Sequence, residues 1–162
     1  MQYEHMFAYT TGMFEEVKPA GTAAPALPAS LTALATAVTQ YCADPGSSTG
    51  EQLGVELPAL RHVIDELELA FATRAAAFAA TDAYELQGSL SPAEWVRHHC
   101  HMSAAAAGSA VCAGQRLAAI PETEQALHAG EIGFPHLAML ASTERAVSAA
   151  RGAAAFDERP LV

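Results

Sequence analysis

A run of four residues, His98-His99-Cys100-His101, holds the side chains of this sequence that are best suited to chemistry. On a helix, His98 and His101 would share one face, and with Cys112 they would supply two imidazoles and a thiolate to a zinc ion that keeps one open position. In the same run, Cys100 stands between His99 and His101, and an adjacent imidazole could activate its thiol as a nucleophile. The run therefore suggests two hypotheses, a small metal site and a thiol nucleophile.

The spacing of these residues fits neither hypothesis well. Structural zinc sites pair their ligands more regularly, and no third group is placed to orient an imidazole beside Cys100. Histidines at the end of a helix, where the helix dipole favours positive charge, are the better interpretation. The sequence also lacks the GxSxG, Walker, GxGxxG and HExxH patterns. We therefore expect no catalytic residue, no metal site and no cofactor.

Residues 92–118 have the layout of a helix-turn-helix, with a short helix, a turn and a longer helix. Phosphate contacts dominate DNA affinity, yet residues 91–151 hold only four arginines against five acidic residues. A helical hairpin buried for packing is therefore the favoured interpretation, and DNA binding is the alternative. In that alternative the expected contacts are Arg97, Gln115, Arg116 and Arg145.

Helices must position these residues, because no stretch alternates apolar and polar side chains long enough to predict a strand. Alanine is the most frequent residue and favours helix. Ser91 and Glu94 form a predicted capping box, and Ser103 is a predicted cap for the next helix. Besides one long helix, the predicted helices cover residues 31–42, 92–100, 104–119, 121–129 and 136–150.

The predicted fold class is all-α, a helical bundle in which one long helix is followed by a compact subdomain that resembles a helix-turn-helix. Prolines and glycines between residues 1 and 30 predict a flexible N-terminal tail. Residues 31–150 are predicted to form a single all-helical domain, and residues 151–162 a C-terminal tail.

The long helix carries the clearest periodicity in the chain. Its apolar residues are spaced by three or four positions, which is a heptad pattern interrupted only by Arg74. Because Pro58 lies within the pattern, the continuous helix is predicted to begin there, with Leu53 and Leu57 on a preceding turn. This apolar stripe consists of Leu53, Leu57, Leu60, Ile64, Leu67, Phe71 and Phe78.

Two roles are open for the apolar stripe. The favoured role is packing along the bundle of its own domain, and the alternative is a seam between two copies of the chain. In either case the opposite face, with Glu56, Arg61, Asp65, Glu66 and Glu68, is predicted to face solvent. The residues predicted to form the seam are Leu60, Ile64, Leu67, Phe71 and Phe78.

Composition and charge restrict the class of protein. The 162 residues include 8 basic and 18 acidic ones, so the formal net charge is −10. This balance excludes a strongly basic nucleic-acid binder and a polybasic membrane-surface protein. The three cysteines form no CxxC pair, and the N-terminus lacks the basic and apolar regions of a secretory signal. We therefore expect a cytoplasmic protein with no membrane partner.

Residues 57–150 contain a series of short motifs that resembles a known family, the actinobacterial "domain of unknown function 222". After the long helix come Gly88 and Ser91, and these lead into Trp95-Val96. The further motifs are Met102-Ser103 before an alanine-rich helix ending in Arg116-Leu117, then Ile120-Pro121, the run Ala126-Leu127-His128-Ala129-Gly130-Glu131-Ile132, and His136-Leu137.

Members of this family commonly continue into a C-terminal HNH nuclease, whose histidines and asparagine bind a metal ion and activate water. No such motif occurs in this sequence up to Val162. The resemblance therefore implies a non-catalytic helical accessory domain of an HNH-endonuclease-associated protein, with DNA as a partner. The alternative is a helical dimerisation or protein-interaction module with no nucleic-acid role, which associates with itself through the long helix.

Overall fold

The computed structural model describes residues 26–44, 46, 49–151 and 156–159. Within these ranges every regular element is a helix and none is a strand, which confirms the predicted all-α class. The most N-terminal part of the predicted tail, residues 1–25, lies outside the described residues. The helices are α1 (Ala29–Ala43), α2 (Gly50–Ala79), α3 (Ala83–Leu86), α4 (Pro92–His99), α5 (Ala104–Arg116), α6 (Pro121–His128) and α7 (Phe134–Arg151), with a 3-10 turn at Leu117–Ala119.

The described residues fall into two compact units, one within residues 1–47 and the other within residues 48–162. Helix α1 belongs to the first unit and agrees with the predicted helix over residues 31–42 to within two residues. None of its residues is buried, and Leu31, Leu34 and Val38 are exposed. The remaining helices belong to the second unit.

Helix α2 begins at Gly50, and the predicted start at Pro58 is wrong. The Thr49 hydroxyl accepts a hydrogen bond from the backbone N–H of Gln52 at 3.3 Å, and the Gln52 side-chain oxygen accepts one from the Thr49 N–H at 2.8 Å. This capping box satisfies amide groups of the first turn, so the helix starts there. Pro58 then removes one backbone hydrogen bond without ending the helix.

The buried side of α2 differs from the predicted leucine stripe. It consists of Asp65, Leu69, Ala72 and Ala75. Asp65 follows Ile64 of the stripe by one residue and Ala72 follows Phe71 by one, so the buried face is rotated by about 100° around the helix from the stripe. The reason lies in α5, whose alanines and Gly114 allow the two helices to approach closely. A Cβ atom on Gly114 would lie only 2.0 Å from the carbonyl oxygen of Ala72.

Helix α5 is the centre of the second unit, because it packs against α2, α4 and α7. Its buried residues include Ala107 and Ala113, both without exposed surface. The main core gathers larger side chains from α2, α6, α7 and the intervening turns, namely Leu69, Ile120, Leu127, Phe134 and Leu137. The close contact of α5 with α2 is part of this core, because Ala72 and Ala113 belong to the same buried cluster.

Local caps start α4 and α5 where the sequence predicts them. The Ser91 hydroxyl accepts from the Glu94 N–H at 3.1 Å, and the Ser103 hydroxyl accepts from the Ala106 N–H at 3.1 Å. The Glu94 carboxylate accepts from the N–H of Leu90 and not from that of Ser91, so the capping box is shifted outward by one residue.

Carboxylates from distant parts of the chain cap α6 and α7. Glu158 accepts hydrogen bonds from the backbone N–H groups of Glu122 and Thr123, both at 2.9 Å. Asp65 on α2 accepts one from the N–H of Phe134, at 2.7 Å. Negative charge at a helix N-terminus is favourable. Residues 156–159 therefore lie against the bundle, with Phe156 packed on the core.

Candidate protein-interaction groove

An open groove of about 850 Å³ lies on the surface of the second unit, where α2, α5 and α7 meet. Its walls are mostly apolar, with Glu68, Ser109, Ser142 and Thr143 among its polar residues. Met139 is 58 % exposed there and Ile64 is 39 % exposed. The principal apolar residues of the groove are Ile64, Leu67, Phe71, Met102, Pro135 and Met139.

Three of the five predicted seam residues line this groove, and the other two lie outside it. Ile64, Leu67 and Phe71 line the groove. Leu60 lies one turn earlier and is half-buried. Phe78 is elsewhere, with its ring centroid 4.4 Å from that of Trp95. The structure thus brings three of the five residues together at one surface and places Phe78 in an aromatic cluster.

The beginning of α2 carries the continuation of the same apolar face. None of its first four turns, residues 50–63, holds a buried side chain. Leu53 is 43 % exposed and Leu57 is 61 % exposed. We call residues 50–63 the arm. The apolar stripe therefore runs from the arm into the groove on one side of a single helix.

The prediction that Asp65 faces solvent on the opposite side of α2 is wrong, because this side chain is buried. Its carboxylate accepts hydrogen bonds from the Phe134 N–H and from the Arg61 guanidinium, which also donates to Glu68. The hydrogen bonds from Arg61, together with that from Phe134, hold the pKa of Asp65 below its ordinary value although burial acts in the other direction. In return, the two carboxylates raise the pKa of Arg61.

The four residues predicted to contact DNA differ in their exposure and in the side chains beside them. Gln115 and Arg145 are exposed. Arg97 approaches the imidazole of its neighbour His98, with a nitrogen–nitrogen distance of 2.7 Å. Arg116 faces the interior, where its Nε lies 3.5 Å from the Oε2 of the buried Glu144. Arg116 therefore balances a buried carboxylate, which is a structural role that the sequence did not reveal.

The histidine run ends α4 as predicted, but it does not meet Cys112. Cys112 is buried, with its sulfur 4.0 Å from the carbonyl oxygen of Ala141, whereas His98 and His101 are exposed. His99 stacks on Trp95 at a centroid distance of 4.2 Å. Among the described residues, no three His, Cys, Asp or Glu side chains are grouped so that they could hold a metal ion.

Comparisons with protein-family models, with curated proteins and with solved structures found no match for this chain. In the part of the chain that the structure describes, no helix has the length and apolar character needed to cross a membrane.

Proposed function

We propose that this chain is a protein-interaction module, and that its groove binds an apolar helix of another protein molecule. The observation that carries the proposal is the groove itself, which leaves Ile64, Leu67, Phe71 and Met139 along one open, mostly apolar surface. Contiguous apolar surface of this kind is unfavourable in water and marks binding sites. Helices with apolar side chains at spacings of three and four residues are the usual occupants of such grooves.

Site-specific photocrosslinking tests this proposal. A photoreactive amino acid in place of Met139 is expected to give discrete covalent adducts in cells, because Met139 borders the groove and is exposed. Leu90 is the matched control, since it is also apolar, is 92 % exposed and is not among the residues that line the groove. A second substitution, Ile64→Asp, should abolish the adducts by placing a charge on the apolar wall.

Adducts from the probe at 139 and not from the probe at 90, lost with Ile64→Asp, support the proposal. No adduct at 139, or the same adducts from both positions, would overturn it. The mass of the adduct also shows whether the bound molecule is a second copy of the chain or a different protein.

A second candidate is DNA binding by a helical accessory domain of an HNH-endonuclease-associated protein. Its support is the pair α4 and α5, joined by a short turn in which His101 adopts a positive φ of 54°. The charge of the second unit weighs against this candidate, since the sequence from Ser48 onward has seven arginines, no lysine and fourteen acidic residues.

Fluorescence anisotropy with a labelled DNA duplex at low salt tests this candidate. If α4 and α5 bind DNA, Arg97→Ala should weaken binding and lower the slope of log K against log salt by about one. The exposed Arg145 gives a parallel variant, whereas Arg116 is unsuited because it balances the buried Glu144. Unchanged anisotropy with the wild-type chain would end the DNA-binding hypothesis.

The cytoplasm is the location we propose for this module. All three cysteines, Cys42, Cys100 and Cys112, are unpaired thiols in the structure. Reducing conditions inside the cell keep thiols in this form.

A further inference from the structure

Helix α6 has no local side-chain cap. Its N-cap residue, Ile120, has no side-chain acceptor, and Pro121 at the first helical position has no N–H to satisfy. The N–H groups of Glu122 and Thr123 therefore need an acceptor from elsewhere in the chain. The acceptor is the carboxylate of Glu158, which lies 35 positions after Thr123.

Three donors converge on this carboxylate. One oxygen of Glu158 accepts from the Glu122 N–H at 2.9 Å, and the other accepts from the Thr123 N–H at 2.9 Å and from the Thr123 hydroxyl at 2.6 Å. Thr123 has no exposed surface, and Glu158 is 7 % exposed. Buried donors placed against both oxygens form a site that selects a carboxylate. We call these three donors the seat.

Residues 156–159, which we call the strap, direct two side chains into the bundle. Phe156 is half-buried and packs against the main core, and Glu158 lies in the seat. Asp157 and Arg159 are exposed and pair with each other, with nitrogen–oxygen distances of 2.9 and 3.0 Å. The strap therefore resembles a short bound peptide in which an aromatic residue stands two positions before a glutamate.

The charges around the seat favour a peptide over a simple anion. Glu122 and Glu124 both lie in the first turn of α6. The hydrogen bonds to Asp157, and then the negative charges of Asp157 and Glu122, raise the pKa of Arg159. The cation of the strap thus offsets the carboxylate of Glu122. Inorganic phosphate would meet these two glutamates without any such compensation.

We propose that the strap is an intramolecular ligand, and that the seat binds an acidic peptide segment of another protein when the strap is released. The segment has an aromatic residue two positions before a glutamate and a basic residue after it. Because the strap is tethered, it competes at an effective concentration on the order of 1 mM and excludes weaker ligands. Neither the seat nor the strap contributes a residue to the walls of the groove, so this inference goes beyond the proposed function.

Fluorescence anisotropy with a labelled peptide of residues 153–161, Ala-Ala-Ala-Phe-Asp-Glu-Arg-Pro-Leu, tests the proposal in the full chain. Phe156→Ala combined with Glu158→Gln releases the strap, because the first change removes the aromatic contact and the second replaces a carboxylate by an amide that is itself a donor. We expect this released variant to bind the peptide at least about tenfold more tightly than the wild-type chain, in which the strap competes.

Two controls identify the cause of tighter binding. Asp157→Asn changes an exposed carboxylate of the strap that pairs with Arg159 and not with the seat, so this variant should bind the peptide as weakly as wild type does. A peptide in which glutamine replaces the glutamate should bind the released variant at least about tenfold more weakly than the original peptide, because it loses the charge-assisted hydrogen bonds.

Tighter binding by the released variant, lost with the glutamine peptide, supports the proposal. A released variant that does not bind the peptide, or equal binding by all three chains, would overturn it and make Glu158 a fixed cap of α6. Circular dichroism shows whether the double variant is folded. If it is not, Phe156→Ala alone decides by the same criteria, because it keeps the Glu158 cap.

Discussion

Replacing Gly114 by alanine is expected to lower the free energy of unfolding by about 3 kcal/mol, at the upper end of the usual cost of overpacking. The added Cβ would lie 2.0 Å from the carbonyl oxygen of Ala72, 2.6 Å from its carbonyl carbon and 2.8 Å from the Cβ of Ala76. The first two atoms belong to the backbone of α2, so no side-chain rotation relieves the clash. Helices α2 and α5 would have to separate along their alanine-rich contact.

Whether Gly114→Ala lowers or raises the free energy of unfolding shows which effect is larger at this position, overpacking or helix propensity. At an unconstrained helical position, glycine to alanine stabilises by up to about 1 kcal/mol. Gly108 provides that control, because it lies on the same helix and no neighbouring atom lies within 4 Å of a Cβ built there. Urea denaturation followed by far-UV circular dichroism should show Gly114→Ala less stable than wild type and Gly108→Ala equal or more stable. Equal stability of the two variants would contradict the close α2–α5 contact.

Replacing Asp65 by alanine is the second change with a large expected effect, a loss of about 3 kcal/mol. The substitution leaves the buried N–H of Phe134 without its acceptor and removes a charged cap from the start of α7. Asp65→Asn keeps an acceptor for that N–H but loses the charge, so we expect roughly half the effect. Asp82 is a suitable control, because it is exposed and its side chain caps no helix.

The pKa of Asp65 adds a pH dependence to this prediction. Its pKa is below the ordinary 3.8 in the folded chain, so the unfolded chain binds the proton more readily. The stabilisation from Asp65 is therefore fully present above the ordinary pKa and is lost as the pH falls toward the lower, folded value. The difference in unfolding free energy between wild type and Asp65→Asn should shrink on acidification through this range. A difference that stayed constant would contradict the charged interaction with Arg61 and Phe134.

The sequence contains enough local information to predict most helix boundaries. Ser91 and Ser103 cap the helices that follow them, and Pro121 is the first residue of α6. Each signal acts within one turn, so it can be recognised without knowing the rest of the fold. Pro58 misled the prediction because the capping box at Thr49 and Gln52 determines the start of α2 more strongly than the proline does.

Long-range partners could not be predicted in this way. Asp65 looked like part of a solvated face because its partner, the N–H of Phe134, is 69 residues away. The sequence around Gly114 is that of an ordinary alanine-rich helix, because the group that requires a glycine there, the backbone of Ala72, belongs to another helix. The groove was foreseen only through Ile64, Leu67 and Phe71, since Met102, Pro135 and Met139 join them through tertiary packing.

The central proposal is that the apolar groove binds an apolar helix of another protein molecule. Photocrosslinking in cells from a probe at position 139 tests it most directly, with Ile64→Asp and Val63→Asp as a matched pair of second substitutions. Both side chains are exposed on α2, but only Ile64 lines the groove. A charge at position 64 would have to be buried against the bound helix, which is unfavourable.

We predict that the probe at 139 gives the same discrete adducts in the wild-type chain and in Val63→Asp. In Ile64→Asp these adducts should be lost. No adduct in the wild-type chain, or equal loss with the two substitutions, would contradict the account.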